Sequence, residues 1–333
     1  MAAKKTSVVI VGAGGFARVH VGCMLGMEDT VRIAGFVDPA EKAREVMAKR
    51  YAEEWKKNKV PPFYNTIEEF LAGNKGPADC AVVVSPHNLH VTHIIECMKA
   101  GMDTLVEKPM VLSAAEARRA MKVRDETGRL LSIAYPGNYS TLIQKGLELA
   151  AAGEIGRVMS IAGITFQRWL EVNTGTWRQV PEISGGGYLF DTGSHTINMM
   201  LTFAGSAVRE LAAVQDNRGS PVDIATAVSG RFENGVFFTL CAEGNSVNSM
   251  MRVTVMGTGG VLVFGPWGEY LRLMKQGSWE EKTVEHPPHR NTFEQFLDVR
   301  AGRIPNPCPA EAGLRVAEFM DRVREAVAPG GRN

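Results

Sequence analysis

Short apolar runs rich in β-branched residues alternate with helical patterns over the first 135 residues. This alternation predicts a doubly wound parallel sheet whose strands are joined by crossover helices. The predicted strands are Ser7–Val11, Val31–Val37, Phe63–Tyr64, Ala81–Ser85, Thr104–Glu107 and Leu130–Ala134, and the predicted helices lie near Gly15–Gly26, Glu41–Trp55, Ile67–Ala72, His90–Ala100 and Ala114–Thr127.

The pattern changes after Tyr135, where strands follow one another with few helices between them. Such a run of strands predicts an antiparallel sheet, and the pair Asn234-Gly235 predicts a type I′ hairpin turn within it. The predicted strands lie near Arg157–Arg168, Arg209–Asp216, Ile224–Phe232, Val236–Ala242, Met251–Met256, Val261–Phe264 and Tyr270–Met274, and the predicted helices near Asn138–Ala152, Asp191–Phe203, Thr292–Ala301 and Ala310–Val327.

We therefore expect an α/β chain of two domains, since 333 residues are enough for two separate cores. Residues 1–135 would form the doubly wound domain, and residues 136–333 an α+β domain with an open, mostly antiparallel sheet. The C-terminal helix 310–327 could pack back toward the first domain. The open sheet face favours a homo-oligomer, either a dimer or a tetramer.

The charge balance argues against nucleic acid and membrane surfaces as partners. The chain has 37 Lys and Arg against 36 Asp and Glu, so no basic surplus is available for a phosphate backbone or a lipid surface. The apolar run near the N-terminus is too short for a signal peptide, and no apolar stretch is long enough to cross a bilayer. The five cysteines share no metal-like spacing, and we interpret them as reduced thiols of a cytoplasmic protein.

A glycine-rich turn follows the first predicted strand. Gly12, Gly14 and Gly15 precede Phe16 and Ala17 in a G-x-G-x-x-A pattern that opens a helix. The first glycine permits a sharp turn, the second lets the backbone approach a pyrophosphate, and the small last residue lets helix and strand pack closely. The helix N-terminus offers N–H groups and partial positive charge to the phosphates. The pattern predicts a Rossmann-type dinucleotide site.

Asp38 ends the second predicted strand, where a carboxylate can accept hydrogen bonds from the adenosine ribose hydroxyls. Its charge would repel a 2′-phosphate, so we expect NAD in preference to NADP. Lys42 and Arg44 weaken this expectation, because either could reach such a phosphate. The alternative interpretation of Asp38-Pro39 is a helix-capping turn without any role in binding.

Three further motifs fall on predicted elements. Ser85-Pro86 with His90 follows the fourth strand, Glu107-Lys108-Pro109 follows the fifth, and the stretch Gly186–His195 reads G-G-x-x-x-D-x-G-x-H. Together with the glycine turn, these motifs resemble the Gfo/Idh/MocA family of glucose–fructose oxidoreductases and inositol dehydrogenases over nearly the whole chain.

The resemblance implies that Lys108 and His195 are catalytic and that Asp191 assists at the substrate. The segment Tyr135–Tyr139 departs from the family, because many members carry a histidine or an arginine-rich stretch there and this chain is neutral. The substrate subclass is therefore open. The residues that the resemblance places along the cofactor are Ser85, Pro86, His90, Glu107 and Lys108.

These residue types suit the oxidation of a secondary alcohol, which needs a base for the hydroxyl proton and stabilisation of the alkoxide. His195 can transfer a proton near neutral pH, and Asp191, four residues earlier, would share its helix face. Lys108 lies at the carboxyl edge of the predicted sheet, and Pro109 restricts its backbone. Taken singly, the Asp-His pair could be a helix cap and the lysine a solvated charge.

Aromatic and basic residues precede the second glycine motif and suit a sugar ring or the nicotinamide phosphate, although a packed loop anchored by tryptophan explains them equally well. His286, His289 and Arg290 form a second possible rim, and a solvated loop is the simpler interpretation. Ligand clusters such as H-E-x-x-H are absent, so we expect no metal. The candidate substrate residues are Asn138, Arg168, Trp177 and Arg178.

Three functions are compatible with these residues. The first is an NAD-dependent dehydrogenase that acts on a small polyhydroxylated substrate, namely a sugar, a cyclitol or a glycoside. The second is a reaction without net redox change, in which the cofactor stays bound and is regenerated, as in the family's glycosidases. The third is an NAD-sensing regulator without activity, and the presence of Lys108, Asp191 and His195 argues against it.

Overall fold

The structure is a computed structural model that describes residues 5–285, 287–288 and 290–327. The chain divides into two compact units. The first contains the described residues up to Val111, together with Ala115–Ala134 and Asn291–Ala310. The second contains Leu112–Ala114, the described part of Tyr135–Arg290 and the described residues from Glu311 onward. No helix in these described ranges is both long and apolar enough to span a membrane.

The first unit is built on a parallel sheet of six strands in the order β3-β2-β1-β4-β5-β6. This order reverses direction at β1, as it does in doubly wound dinucleotide-binding sheets. The elements are β1 Thr6–Val11, α1 Ala17–Leu25, β2 Val31–Val37, α2 Glu41–Glu53, β3 Phe63–Tyr64, α3 Ile67–Gly73, β4 Cys80–Val83, α4 His90–Lys99, β5 Asp103–Val106, α5 Ala114–Thr127 and β6 Leu131–Ile133.

A helix from late in the chain also packs in the first unit. Helix α11, Thr292–Arg300, places Phe293 and Phe296 in the same buried cluster as Val8 and Ile10. The Nε of Arg300 donates to Asp103 at 2.8 Å. From its position in the chain, this helix was expected in the second domain. The return of the chain to the first unit produces no local sequence pattern from which it could be predicted.

The second unit contains an eight-stranded sheet in the order β14-β13-β12-β11-β7-β10-β9-β8. All of its neighbouring pairs are antiparallel except β10 with β7, which confirms the expected mostly antiparallel sheet. Its strands are β7 Val158–Phe166, β8 Val208–Asp216, β9 Ala225–Phe232, β10 Phe237–Glu243, β11 Met250–Gly257, β12 Gly260–Phe264, β13 Leu271–Lys275 and β14 Lys282–Thr283. Its helices are α6 Thr141–Ala151, α7 Trp169–Asn173, α8 Pro181–Ser184, α9 Tyr188–Asp191, α10 Gly193–Ala204 and α12 Ala310–Ala326.

Helix α12 packs against the sheet of the second unit. The Phe319 ring lies 5.8 Å from that of Phe238 on β10, measured between centroids. The guanidinium of Arg322 donates to the backbone carbonyls of Val208 and Arg209 at the start of β8. These contacts explain why α12 stays with the sheet that precedes it.

The hairpin between β9 and β10 is confirmed, but its expected turn type is wrong. A type I′ turn needs positive φ at both central residues, whereas only Gly235 has it, at φ +87°, and Asn234 does not. The amide of Gly235 donates to the carbonyl of Phe232, and that of Phe232 donates to the carbonyl of Val236. This pattern fits a three-residue loop that ends in a left-handed glycine.

Side chains alternate in burial along the central strands of the second sheet. On β10, Phe238, Leu240 and Ala242 are buried while Phe237 and Cys241 are exposed. The buried side chains face the covered side of the sheet, which α10 contacts through β7 and β11. Among the described residues of β10, side chains on the other face, including those of Phe237 and Cys241, are exposed.

Candidate active site

The glycine turn has the geometry that a bound pyrophosphate requires. Gly12 has φ +107°, and a Cβ there would lie 2.7 Å from the backbone carbonyl of Val84, so only glycine fits. A Cβ on Gly14 or Gly15 would meet no atom within 4 Å, which leaves the backbone open to a ligand. Ala17 is fully buried at the start of α1, while Phe16 is half-exposed beside it. The turn therefore fits the phosphates of a dinucleotide.

The carboxylate of Asp38 lies next to this turn. One oxygen accepts the backbone N–H of Ala13 at 2.7 Å, and the other accepts that of Ala40 at 2.9 Å. Both interpretations of Asp38 thus have support, since it braces the chain before α2 and also borders the glycine turn. An ionised carboxylate has about four acceptor sites, so these two bonds leave capacity for ribose hydroxyls.

The two cations that could favour a 2′-phosphate differ in their surroundings. The guanidinium of Arg44 donates to the side-chain oxygen of Asn65 at 2.9 Å. Lys42 is exposed on α2. The bond to Asn65 uses one of the five guanidinium donors, so Arg44 keeps donors whose hydrogen bonds a phosphate could accept.

Two histidines after β4 hold the Ser85-Pro86 turn. The Ser85 hydroxyl lies 2.9 Å from Nδ1 of His93, whose pKa burial lowers to about 4, with nearby His90 acting in the same direction. His90 has no exposed surface, and its ring nitrogens lie 2.8 Å and 2.9 Å from the carbonyl oxygens of Ser85 and Pro109. Burial lowers the pKa of His90, and both carbonyls oppose that shift. His90 therefore contacts the turns after β4 and β5 through their backbone carbonyls, and it presents no surface to a ligand.

The Glu107-Lys108-Pro109 turn is anchored through a buried carboxylate. Glu107 Oε1 lies 2.8 Å from Nε2 of His20, and Glu107 Oε2 accepts the backbone N–H of Lys108 at 3.0 Å. The Lys108–Pro109 peptide is cis. The Lys108 side chain is half-buried at the carboxyl end of β5. Gly12, Ser85 and Lys108 follow the neighbouring strands β1, β4 and β5, so they share one edge of the parallel sheet.

In the second unit, a close backbone approach fixes the turn before Asp191. A Cβ on Gly187 would lie 1.9 Å from the carbonyl oxygen of Asp223, so no larger residue fits. The Asp223 carboxylate accepts the N–H groups of Gly187 at 2.7 Å and Leu189 at 3.1 Å. It thereby satisfies the first turn of α9 and sets the position of Asp191 at the end of that helix.

Asp191 is buried and serves as an acceptor for two side chains. Its Oδ2 accepts the indole N–H of Trp169 at 2.8 Å and the Nε–H of Arg178 at 3.1 Å. The Arg178 guanidinium also lies 4.5 Å from the centre of the Trp177 ring. The structure thus brings Asp191, Arg178 and Trp177 together in one aromatic and charged cluster.

His195 lies in the first turn of α10, buried between two aromatic rings. The ring centroids of Tyr135 and Trp267 lie 5.6 Å and 5.4 Å from that of His195, and both contacts are edge-on. Trp267 precedes β13 and was not among the predicted site residues, because nothing in its local sequence marks it. Tyr135 lay in a segment that we noted only for its neutrality.

The other predicted substrate residues are placed differently. Arg168 forms a solvent-exposed ion pair with Glu171 at 2.6 Å. Asn138 is buried, and its side-chain oxygen accepts the Asn198 amide. His286 and His289 lie outside the described residues, whereas Arg290 is described and partly exposed. Among the residues that the structure describes, no group of three or more His, Cys, Asp or Glu side chains could hold a metal ion.

Comparisons with known proteins identify the family. A family model described as "Oxidoreductase family, NAD-binding Rossmann fold" matches residues 6–135, and the "GFO/IDH/MocA C-terminal domain" matches residues 143–263. The chain is 24% identical to "Oxidoreductase P35" of Formosa agariphila, over 94% of this chain and 96% of that protein. It is 28% identical to "D-xylose 1-dehydrogenase [NADP(+)]" of Haloarcula marismortui, over 69% and 68% of the two chains.

A solved structure of the same fold is that of the WlbA dehydrogenase from Bordetella pertussis in complex with NADH and UDP-GlcNAcA. It superposes with a TM-score of 0.81 at 19% identity and covers 98% of each chain. At this identity the superposition establishes the fold alone. The family matches over both halves confirm the resemblance that the motifs indicated. The chain belongs to the Gfo/Idh/MocA family and is an NAD(P)-dependent oxidoreductase.

Proposed function

We propose that this protein is an NAD-dependent dehydrogenase that oxidises a secondary alcohol of a sugar, a cyclitol or a glycoside. The observation that carries the proposal is the shared sheet edge, where Lys108 follows β5 and the open glycine turn follows β1, with only β4 between the two strands. When bound, the nicotinamide supplies a hydride acceptor. Lys108 and His195 are the proposed acid–base groups for the hydroxyl proton, with Asp191 assisting.

The cluster around Asp191 supports a polyhydroxylated substrate. The Asp191 carboxylate and the Arg178 guanidinium are groups that hydrogen-bond hydroxyls, and the partly exposed Trp177 ring adds apolar surface. Arg178 already donates through Nε to Asp191 and is paired with its charge, which makes it less suited than an unpaired arginine to clamp the carboxylate of a small hydroxy acid. Arg168, paired with Glu171 in solvent, is the weaker of the two arginine candidates.

A screen for NAD reduction tests the substrate class directly. Sugars, inositols and glycosides are compared with small hydroxy acids at matched concentrations, and NADH formation is followed by absorbance. We expect activity within the polyhydroxylated set. Activity confined to the hydroxy acids would show that the proposed substrate class is wrong.

We also propose that NAD is preferred over NADP, on the charge of Asp38 beside the glycine turn. Asp38→Asn removes that charge but keeps an oxygen acceptor, so it should narrow the difference in Kd between NADH and NADPH by about tenfold. Glu41→Gln, which removes an exposed charge from the first turn of α2, serves as the control and should leave the ratio unchanged. Tighter binding of NADPH than of NADH by the unmodified protein would contradict the preference.

We propose further that the open face of the second sheet pairs with a second copy of the chain. Exposed Val214, Ala227 and Cys241 lie in one cross-strand row on that face, and exposed Phe237 lies farther along β10, opposite Arg231. A row of small, uncharged side chains with exposed aromatic and aliphatic groups suits a homo-oligomer interface.

Sedimentation measurements test this assembly. Phe237→Glu should shift the protein toward the monomer, because it places a charge in the proposed interface. Val172→Glu, on the exposed face of α7, is the matched control and should leave the mass unchanged. A monomeric unmodified protein would refute the assembly.

A further inference from the structure

His20 is a buried residue of α1 that no part of the proposed chemistry uses. Its ring is 5% exposed and lies between the edge-on ring of Phe16 and the carboxylate of Glu107. Helix α1 begins at Ala17, directly after the glycine turn, so His20 is carried by the helix whose N-terminus suits the pyrophosphate. The same helix therefore touches both the phosphate-binding turn and the turn that contains Lys108.

The Glu107 carboxylate connects His20 to the backbone of Lys108. One of its oxygens lies 2.8 Å from His20 Nε2, and the other accepts the Lys108 N–H at 3.0 Å. On the other side of the lysine, the Pro109 carbonyl lies 2.9 Å from His90 Nδ1. Polar contacts to buried side chains thus hold the Lys108 N–H and the carbonyl of the residue that follows the lysine.

A buried carboxylate is stable only when its oxygens have hydrogen-bond partners. A buried carboxylate that lost the histidine N–H would therefore reorient toward another donor. That reorientation alters its bond to the Lys108 N–H. A misplacement of a catalytic group by roughly 1 Å can lower a rate by about 10²-fold.

We propose that His20 is a positioning residue for Lys108, and that it acts through Glu107 to align the lysine with the cofactor turn. The kinetic part of this proposal rests on the proposed role of Lys108, whereas the structural part does not. The contacts that link α1 to the turn containing Lys108 do not depend on any catalytic role of the lysine.

Two substitutions separate hydrogen bonding from packing. His20→Leu removes the donor at similar volume, and His20→Gln restores an N–H near the position of Nε2. We expect His20→Leu to lower kcat by about 10 to 100-fold with little change in KM, and His20→Gln to recover most of the loss. The Kd for NADH should change by less than about threefold in both, since no phosphate contact is removed. Val19→Ala, at the exposed neighbouring position, is the control.

Amide hydrogen exchange of the segment containing Lys108 provides a readout that needs no substrate. Exchange at the Lys108 amide should be at least about tenfold faster in His20→Leu than in the unmodified protein, with His20→Gln close to the unmodified protein. Unchanged exchange in His20→Leu, or exchange in His20→Gln as fast as in His20→Leu, would overturn the proposal. Faster exchange together with full activity of a Lys108→Met variant would instead uphold the positioning and refute the catalytic role of the lysine.

Discussion

Replacing Lys108 with methionine or His195 with asparagine is expected to lower kcat by about 10²- to 10⁴-fold, the usual effect of removing a positioned acid–base group. Methionine keeps most of the length of lysine without its charge. Asparagine keeps hydrogen-bonding capacity in the space between Tyr135 and Trp267. Steady-state kinetics on the substrate found in the screen measure the effect.

Cofactor binding separates a catalytic loss from a structural one in these variants. Both should still bind NADH, because neither substitution alters the glycine turn that receives the phosphates. Lys99→Met, at an exposed position of α4, is the matched control for the loss of a lysine charge. A near-normal kcat for either Lys108→Met or His195→Asn would mean that the proton is handled by another residue.

Alanine at Gly12 and at Gly14 should both weaken NADH binding strongly, for different physical reasons. At Gly12, φ +107° and the 2.7 Å approach to Val84 force the backbone to move, so Gly12→Ala should also lower the free energy of unfolding by roughly 2–4 kcal/mol. At Gly14 an added Cβ meets nothing, so the fold is unaffected. The methyl group would instead stand where the pyrophosphate approaches, and NADH affinity should fall by about 100-fold.

Denaturant titration measures the free energy of unfolding, and NADH fluorescence independently measures the affinity for NADH. The contrast between the variants is the informative result, since a general weakening of the turn would lower both the free energy of unfolding and the affinity in both proteins. Wild-type affinity in Gly14→Ala would show that the dinucleotide does not approach the turn at this point. Unchanged stability in Gly12→Ala would contradict the backbone geometry at the end of β1.

Much of the first unit could be predicted because its signals are local. Apolar runs, the glycine turn and the order of elements together imply a parallel sheet with its ligand edge at the strand ends. The bond between His20 and Glu107 joins residues 87 positions apart and has no local pattern. The same holds for Asp223, which accepts from the Gly187 turn, and for the return of α11 to the first sheet.

Some signals were present in the sequence and were not used. Thr176 accepts from the Arg178 amide, and Pro181 opens α8, so two of the short helical elements between β7 and α10 have a recognisable start in the sequence. The hairpin at Asn234-Gly235 was found from its composition, but the composition did not fix the turn type. Strand β14 has only two residues, too few for any alternation to be visible.

Under the proposed function, the chain catalyses net hydride transfer from a polyhydroxylated substrate to NAD. The ratio of NADH formed to product formed tests this, measured with purified protein, excess NAD and the substrate found in the screen. We expect one NADH for each product molecule, with both lost in Lys108→Met. Product formation without NADH accumulation would contradict it, because the cofactor would then be regenerated within each turnover.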